Sequence, residues 1–202
     1  STGLSQDEAR LEVSGTDLDG TIVWEVASRK ELLTLDGSSP EWSPDGAYIL
    51  TDSFTDSGDT ATVWDATTRD KLFTVSGYGV SWSPDGSRLV TVEEYGDATS
   101  HYDDIIHIWD AATGDELLAG TGYLPQWSPD GSRLVTVEVY GDATSYDDIV
   151  HIWDAATGEE PLAVTGYLPQ WSPDGMHILT GLSTVRVWDV TTGDGLSFGV
   201  FN

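Results

Sequence analysis

The chain has 202 residues, Lys+Arg 8 against Asp+Glu 35, a formal net charge of −27 and no cysteine. That length suits one domain able to bury roughly 70% of its unfolded surface, and the missing cysteines exclude disulfides and thiolate metal sites. The charge repels nucleic acid and anionic lipid, and no apolar run approaches the roughly 18 residues that a membrane-spanning helix needs.

The chain opens on Ser-Thr-Gly, without a basic or apolar leader, so no signal peptide is read there and a processed product or a fragment is expected. Leu4 to Leu11 aligns with Trp82 to Leu89, which makes Ser1–Ser5 a short first strand. Leu11-Glu12-Val13 alternates with period two and reads as the second strand. Thr16-Asp17-Leu18-Asp19-Gly20 is a tight turn, Thr21–Val26 a third strand and Glu31–Leu35 an outer one.

From there two motifs organise the rest. Trp-Ser-Pro-Asp-Gly occurs at Trp42–Gly46, Trp82–Gly86, Trp127–Gly131 and Trp171–Gly175. Pro presets φ at the second turn position and Gly takes the left-handed conformation that follows, so each is a type I turn joining two strands. An aliphatic residue followed by Trp and an acid recurs at Val23-Trp24-Glu25, Val63-Trp64-Asp65, Ile108-Trp109-Asp110, Ile152-Trp153-Asp154 and Val187-Trp188-Asp189. Ala-Ala-Thr-Gly at 111–114 and 155–158 turns the third strand into the fourth. These motifs account for all nine tryptophans, at spacings of 40, 45, 44 and 35 residues from Trp24 to Trp188. Self-similarity at about 40–45 residues is the mark of four-stranded propeller blades.

On these residues the chain resembles the WD-repeat β-propellers. The resemblance covers nearly the whole sequence and implies an all-β fold of about five four-stranded antiparallel blades with almost no helix. The blades fall at about 1–38, 39–79, 80–123, 124–167 and 168–202 of a single module. WD-type blades usually close as six to eight, so either five close by themselves or the piece belongs to a larger ring. The Gly-His pair usual early in such a repeat is missing, and Gly77-Tyr78, Gly122-Tyr123 and Gly166-Tyr167 stand near its place. Strand pairing and Trp packing must therefore specify each blade without that histidine. The Trp is expected to pack between blades, and the acid after it to accept hydrogen bonds from the next turn.

Residues 87–114 and 132–158 are nearly the same sequence, so a site on one should recur on the other. Each carries a long insertion between its second and third strands. The first supplies Tyr95, Asp97, Tyr102, Asp103 and Asp104; the second supplies Tyr140, Asp142, Tyr146, Asp147 and Asp148. In a WD-type propeller these loops share a face with the connections between blades, which carry Tyr123 and Tyr167. Tyrosine offers rigid contact area with little entropy to lose, and Asp accepts hydrogen bonds from hydroxyls or cations. This face is the candidate ligand-binding site.

Other patterns carry less. His107 and His151 stand two before Trp, where other repeats have Ile22, Thr62 and Arg186, so packing or a hydrogen bond between blades is expected rather than a metal. Gly195-Leu196-Ser197-Phe198-Gly199 fits a hydrolase elbow in letters only, since no His follows it. Asp17-Leu18-Asp19-Gly20 lacks the further acids of a calcium loop. The expected function is a non-catalytic scaffold that binds a protein or other ligand through its Tyr/Asp face. The alternative is a self-assembling repeat protein whose copies complete or stack rings, in a halophilic or secreted setting. No catalytic or metal residues and no cofactor are expected, apart from calcium at the acidic loops. Protein partners or self-association are expected, without nucleic acid or membrane insertion. Three causes of the acidity compete: high ambient salt, where the Debye length falls to about 3 Å at 1 M, cation binding, and a basic partner.

Overall fold

A computed structural model describes residues 2–4, 10–14, 20–55, 58–94, 104–138, 148–181 and 184–199. These form five four-stranded sheets, each pairing its strands in chain order, and contain no helix among the described residues. Sheet one holds β1 (Thr2–Leu4), β2 (Arg10–Ser14), β3 (Gly20–Glu25) and β4 (Lys30–Asp36). Sheet two holds β5 (Ser38–Trp42), β6 (Tyr48–Thr55), β7 (Gly58–Asp65) and β8 (Lys71–Ser76). Sheet three holds β9 (Tyr78–Trp82), β10 (Arg88–Glu93), β11 (Ile105–Asp110) and β12 (Glu116–Thr121). Sheet four holds β13 (Tyr123–Trp127), β14 (Arg133–Glu138), β15 (Ile149–Asp154) and β16 (Leu162–Thr165). Sheet five holds β17 (Gln170–Trp171), β18 (His177–Thr180), β19 (Thr184–Asp189) and β20 (Gly195–Gly199). Neighbouring strands in sheets one, two, four and five pair antiparallel.

The turns form as their residues dictate. In Ser128–Gly131 the Gly131 N–H donates to the Ser128 carbonyl at 2.9 Å, and Gly131 has φ +70°. Ser128 Oγ donates to Asp130 Oδ1 at 2.6 Å and accepts from Arg133 N at 2.9 Å, stitching the turn to β14. The Asp of each of the four Trp-Asp pairs caps the next turn, as where Asp154 Oδ1 accepts from Ala156 N and Thr157 N, both at 2.9 Å.

The chain divides into two compact units, residues 1–91 with 109–115, and residues 92–108 with 116–202. In the first unit, Val23 and Leu35 of sheet one pack with Ile49, Trp64 and Ala66 of sheet two. Leu50, Ala61, Val63 and Val75 of sheet two then pack with Trp82, Leu89 and Ala111. In the second unit, Val135, Val150, Ile152 and Val164 of sheet four pack with Ile178 and Val190, flanked by Trp171 and Trp188, of sheet five. One recipe therefore repeats. Aliphatic residues of the middle strands leave by one face and meet the next sheet's second-strand aliphatic and the residue after its Trp-acid pair. Each such burial stabilises by about 1.5–3 kcal/mol.

Candidate functional site

In the second unit the candidate face forms where β11 and β15 begin. Asp104 and Asp148 immediately precede these strands, and both side chains are buried. Their carbonyls accept from the N–H of Gly122 and Gly166, at 2.9 and 2.8 Å, in the connection to the next sheet. Gly122 has φ +115°, and a Cβ there would lie 2.7 Å from Thr136 Oγ1, so only glycine fits. That junction delivers Tyr123, half-buried, toward the carboxylates. Burial raises its phenol above the ordinary range, reinforced by Asp148, Tyr167 and Asp104. Three of the residues singled out from sequence thus lie within electrostatic reach of Tyr123, whose phenol stays neutral. Asp104 and Asp148 sit beneath the surface rather than on it. Tyr95, Asp97, Tyr102, Asp103, Tyr140, Asp142, Tyr146 and Asp147 lie outside the described residues.

Two exposed leucines adjoin these tyrosines. Leu124 and Leu168 follow Tyr123 and Tyr167, have φ +51° and +50°, and are 49% and 47% exposed. The same place in earlier sheets holds Ser39 at φ +50° and Gly79 at φ +61°, so the left-handed residue belongs to the repeat. It makes the bulge that shifts the register between Tyr123 and Gln126, as between Ser38 and Glu41. A leucine there costs roughly 1 kcal/mol or more, and its side chain is presented to solvent. The signal available in sequence was an apolar residue at the repeat position that elsewhere carries Ser or Gly.

The first unit holds a different cluster. Glu41, Asp52 and Asp59 come from the first three strands of sheet two. Burial, with Asp52 beside it, pushes Glu41 up to about 7. Burial, with Asp59 beside it, pushes Asp52 up to about 6. By repeat register Asp52 occupies the slot that is Val92 in sheet three and Val137 in sheet four, both buried.

His107 and His151 each meet two acids of their own repeat. His151 Nδ1 lies 2.7 Å from Glu160 Oε1 and Nε2 lies 2.9 Å from Glu138 Oε2. His107 repeats this with Glu116 and Glu93, both at 3.1 Å. The two carboxylates meet opposite edges of each ring and do not converge on one ion. Among the described residues no group of three or more His, Cys, Asp or Glu is placed to hold a metal. The Gly195–Gly199 stretch is the exposed strand β20, not an elbow between a strand and a helix.

The WD40 family, described as WD domain, G-beta repeat, matches residues 72–110. Among solved structures the chain is similar to a chain of the Mitotic Checkpoint Complex, with TM-score 0.64 and 20% identity over 98% of this chain and 62% of that one. It is similar to the WD40 domain of Toxoplasma gondii coronin, with TM-score 0.61 and 14% identity over 95% of this chain and 55% of that one. It is also similar to Kuenenia stuttgartiensis hydrazine synthase, with TM-score 0.61 and 16% identity over 98% of this chain and 65% of that one. At these identities the likeness is one of fold, and the chain spans less than two thirds of each of these chains. No curated protein matches the sequence.

Proposed function

We propose that this chain, which carries a WD40 repeat at residues 72–110 and shares the fold of WD40 β-propellers, is a non-catalytic scaffold that takes a protein ligand through its Tyr/Asp face. The fold typically serves protein–protein scaffolding, but a fold alone does not fix a function. The observation that carries the reading is the repeated Tyr-Leu pair. Leu124 and Leu168 sit in a left-handed conformation with exposed side chains, each next to a tyrosine, and Tyr123 feels the buried Asp104 and Asp148. Holding apolar side chains in a strained, wet position serves no packing purpose, and such strain concentrates at binding sites. Apolar anchors beside tyrosine hydroxyls, in an acidic surround, suit a peptide that carries both an apolar and a basic residue. The loops with Tyr102 and Tyr146 would extend the contact, and two matched sites gain by effective concentration.

The test uses a phage-displayed random peptide library selected on the wild-type chain. The selected peptides should be basic and apolar. Their affinity should fall at least about tenfold, or roughly 1.4 kcal/mol, for Leu124→Asn with Leu168→Asn, and likewise for Tyr102→Ala with Tyr146→Ala. Asn tolerates the left-handed conformation, so the first pair should leave thermal unfolding unchanged or improved. Affinity unchanged from the wild type in both double variants overturns the assignment.

A further inference from the structure

The two Tyr-Leu junctions adjoin. The Trp171 indole N–H donates to the Gln126 carbonyl at 3.2 Å, which holds the first strands of sheets four and five, β13 and β17, beside one another. Leu124 stands two residues before Gln126 and Leu168 three before Trp171, so the exposed leucines mark the same end of neighbouring strands. Both ends are preset by one device. A Cβ on Gly122 would meet Thr136, and a Cβ on Gly166 would meet Thr180. These are the threonines whose hydroxyls accept the indole N–H of Trp153 and Trp188. The leucines are therefore carried by the frame of their own sheets, and little ordering is left for binding to cost.

Tyr123 belongs to both junctions. On one side it follows Gly122, whose N–H donates to the Asp104 carbonyl at 2.9 Å. On the other it stands opposite Val137, which stands opposite Val150. Residues opposite one another or two apart along a strand share a face, so Tyr123 and Asp148 lie on one face of sheet four. Through Val135, Val150 and Val164 that face packs against sheet five. Tyr167 leads the chain into sheet five, and its carbonyl accepts from Gly181 N at 2.7 Å. Besides burial, the groups that act on the Tyr123 phenol are Asp148, Tyr167 and Asp104, which come from both junctions.

We infer, resting on the peptide-binding function proposed for this face, that it takes one extended segment at a time, laid across the seam of sheets four and five. One apolar side chain meets Leu124, another meets Leu168, and a basic one lies between them over Tyr123. An extended segment projects residues i, i+2 and i+4 to the same side, so the recognised order is apolar-x-basic-x-apolar. Asp104 and Asp148 are buried, where their charge is poorly screened, and they attract the cation without touching it. The corresponding places in sheets two and three hold Ser39 and Gly79, so the apolar contacts are confined to Leu124 and Leu168.

The test takes a synthetic copy of the tightest-binding peptide from the phage selection and titrates it calorimetrically into the 202-residue chain. A single peptide per chain is expected, with a basic residue between two apolar ones. Leu124→Asn and Leu168→Asn, made singly, should each weaken binding at least about fivefold and leave the stoichiometry unchanged. Norleucine in place of the basic residue should weaken binding to the wild type at least about tenfold, but to Asp148→Asn by less than about threefold. Tryptophan fluorescence monitors every fold, and the stoichiometry with the two leucine variants decides the outcome should Asp148→Asn unfold. Two peptides per chain, with one full-affinity site left in each single leucine variant, overturns the composite strip while the peptide-binding function stands. A norleucine loss of equal size in wild type and folded Asp148→Asn overturns the placing of the cation, as do selected peptides without a basic residue. No selected binder at all, or affinity unchanged in both double variants, overturns the peptide-binding function and the strip together.

Discussion

The indole N–H of Trp153 donates to Thr136 Oγ1 at 2.9 Å, and that hydroxyl donates in turn to the Thr121 carbonyl at 3.0 Å. One hydroxyl thereby joins two strands of sheet four and reaches the outer strand of sheet three. In sheets one and two, Trp64 donates to Thr51 at 2.9 Å and Thr51 donates to the Asp36 carbonyl at 2.7 Å. Trp109 with Thr91 and Trp188 with Thr180 repeat the first half of the relay, each at 3.0 Å. In sheets two to five this bond ties the third-strand tryptophan to the second strand.

Removing that hydroxyl should be costly. Thr136→Val keeps the shape but strands a buried indole N–H and a carbonyl, so stability should fall by about 1–3 kcal/mol. Thr136→Ser should cost less than about 1 kcal/mol. Urea unfolding followed by tryptophan fluorescence measures both, and equal losses would remove the relay from the account.

The carboxyls of sheet two should make the protein less stable at alkaline pH. Glu41 is raised from 4.5 to about 7 and Asp52 from 3.8 to about 6, so between those limits the folded state binds more protons than the unfolded state. By linkage stability then falls as pH rises through that window. Asp154 runs the other way. Hydrogen bonds from Thr157 first, then Ala156, lower its pKa, so its contribution is present above 3.8 and lost as pH falls through the lowered value. Asp52→Asn should therefore gain about 1–2 kcal/mol at pH 8, discounted for solvent screening, and nothing near pH 4. Stability curves of both proteins across pH check this.

The His151 bridge should be worth more than its copy at His107. Glu160 is the more buried of the two outer partners and its contact is shorter, 2.7 against 3.1 Å. Glu160→Ala should cost about 1–2 kcal/mol and Glu116→Ala about 0.5–1 kcal/mol, by urea unfolding at neutral pH. The reverse order would mean that the contact lengths do not set the energetics.

Salt should stabilise the fold. Repulsion within a net charge of −27 weakens the compact state in dilute buffer. The thermal midpoint should rise by roughly 5–10 °C between low salt and molar KCl. A flat response by calorimetry would dispose of the high-salt explanation of the acidity and leave a bound cation or a basic partner.

What the sequence by itself determined is local. Ser-Pro-Asp-Gly carries its own turn, Asp154 caps the next one, and period-two alternation marks the strands, because backbone preference and hydrogen bonds within five residues decide them. The repeat then set the number of sheets and placed every tryptophan. Only the tertiary structure decided what depends on a neighbouring strand or sheet. It put Asp104 and Asp148 under the surface, fed both edges of His151 with carboxylates from the flanking chain, and set Asp52 in a slot that elsewhere holds valine. Leu124 and Leu168 belong to the same class, since nothing in Tyr-Leu-Pro signals a left-handed bulge until β13 is paired against β14. Burial and electrostatic environment are properties of what packs against a residue, and two residues with the same place in a repeat part company when their neighbours differ.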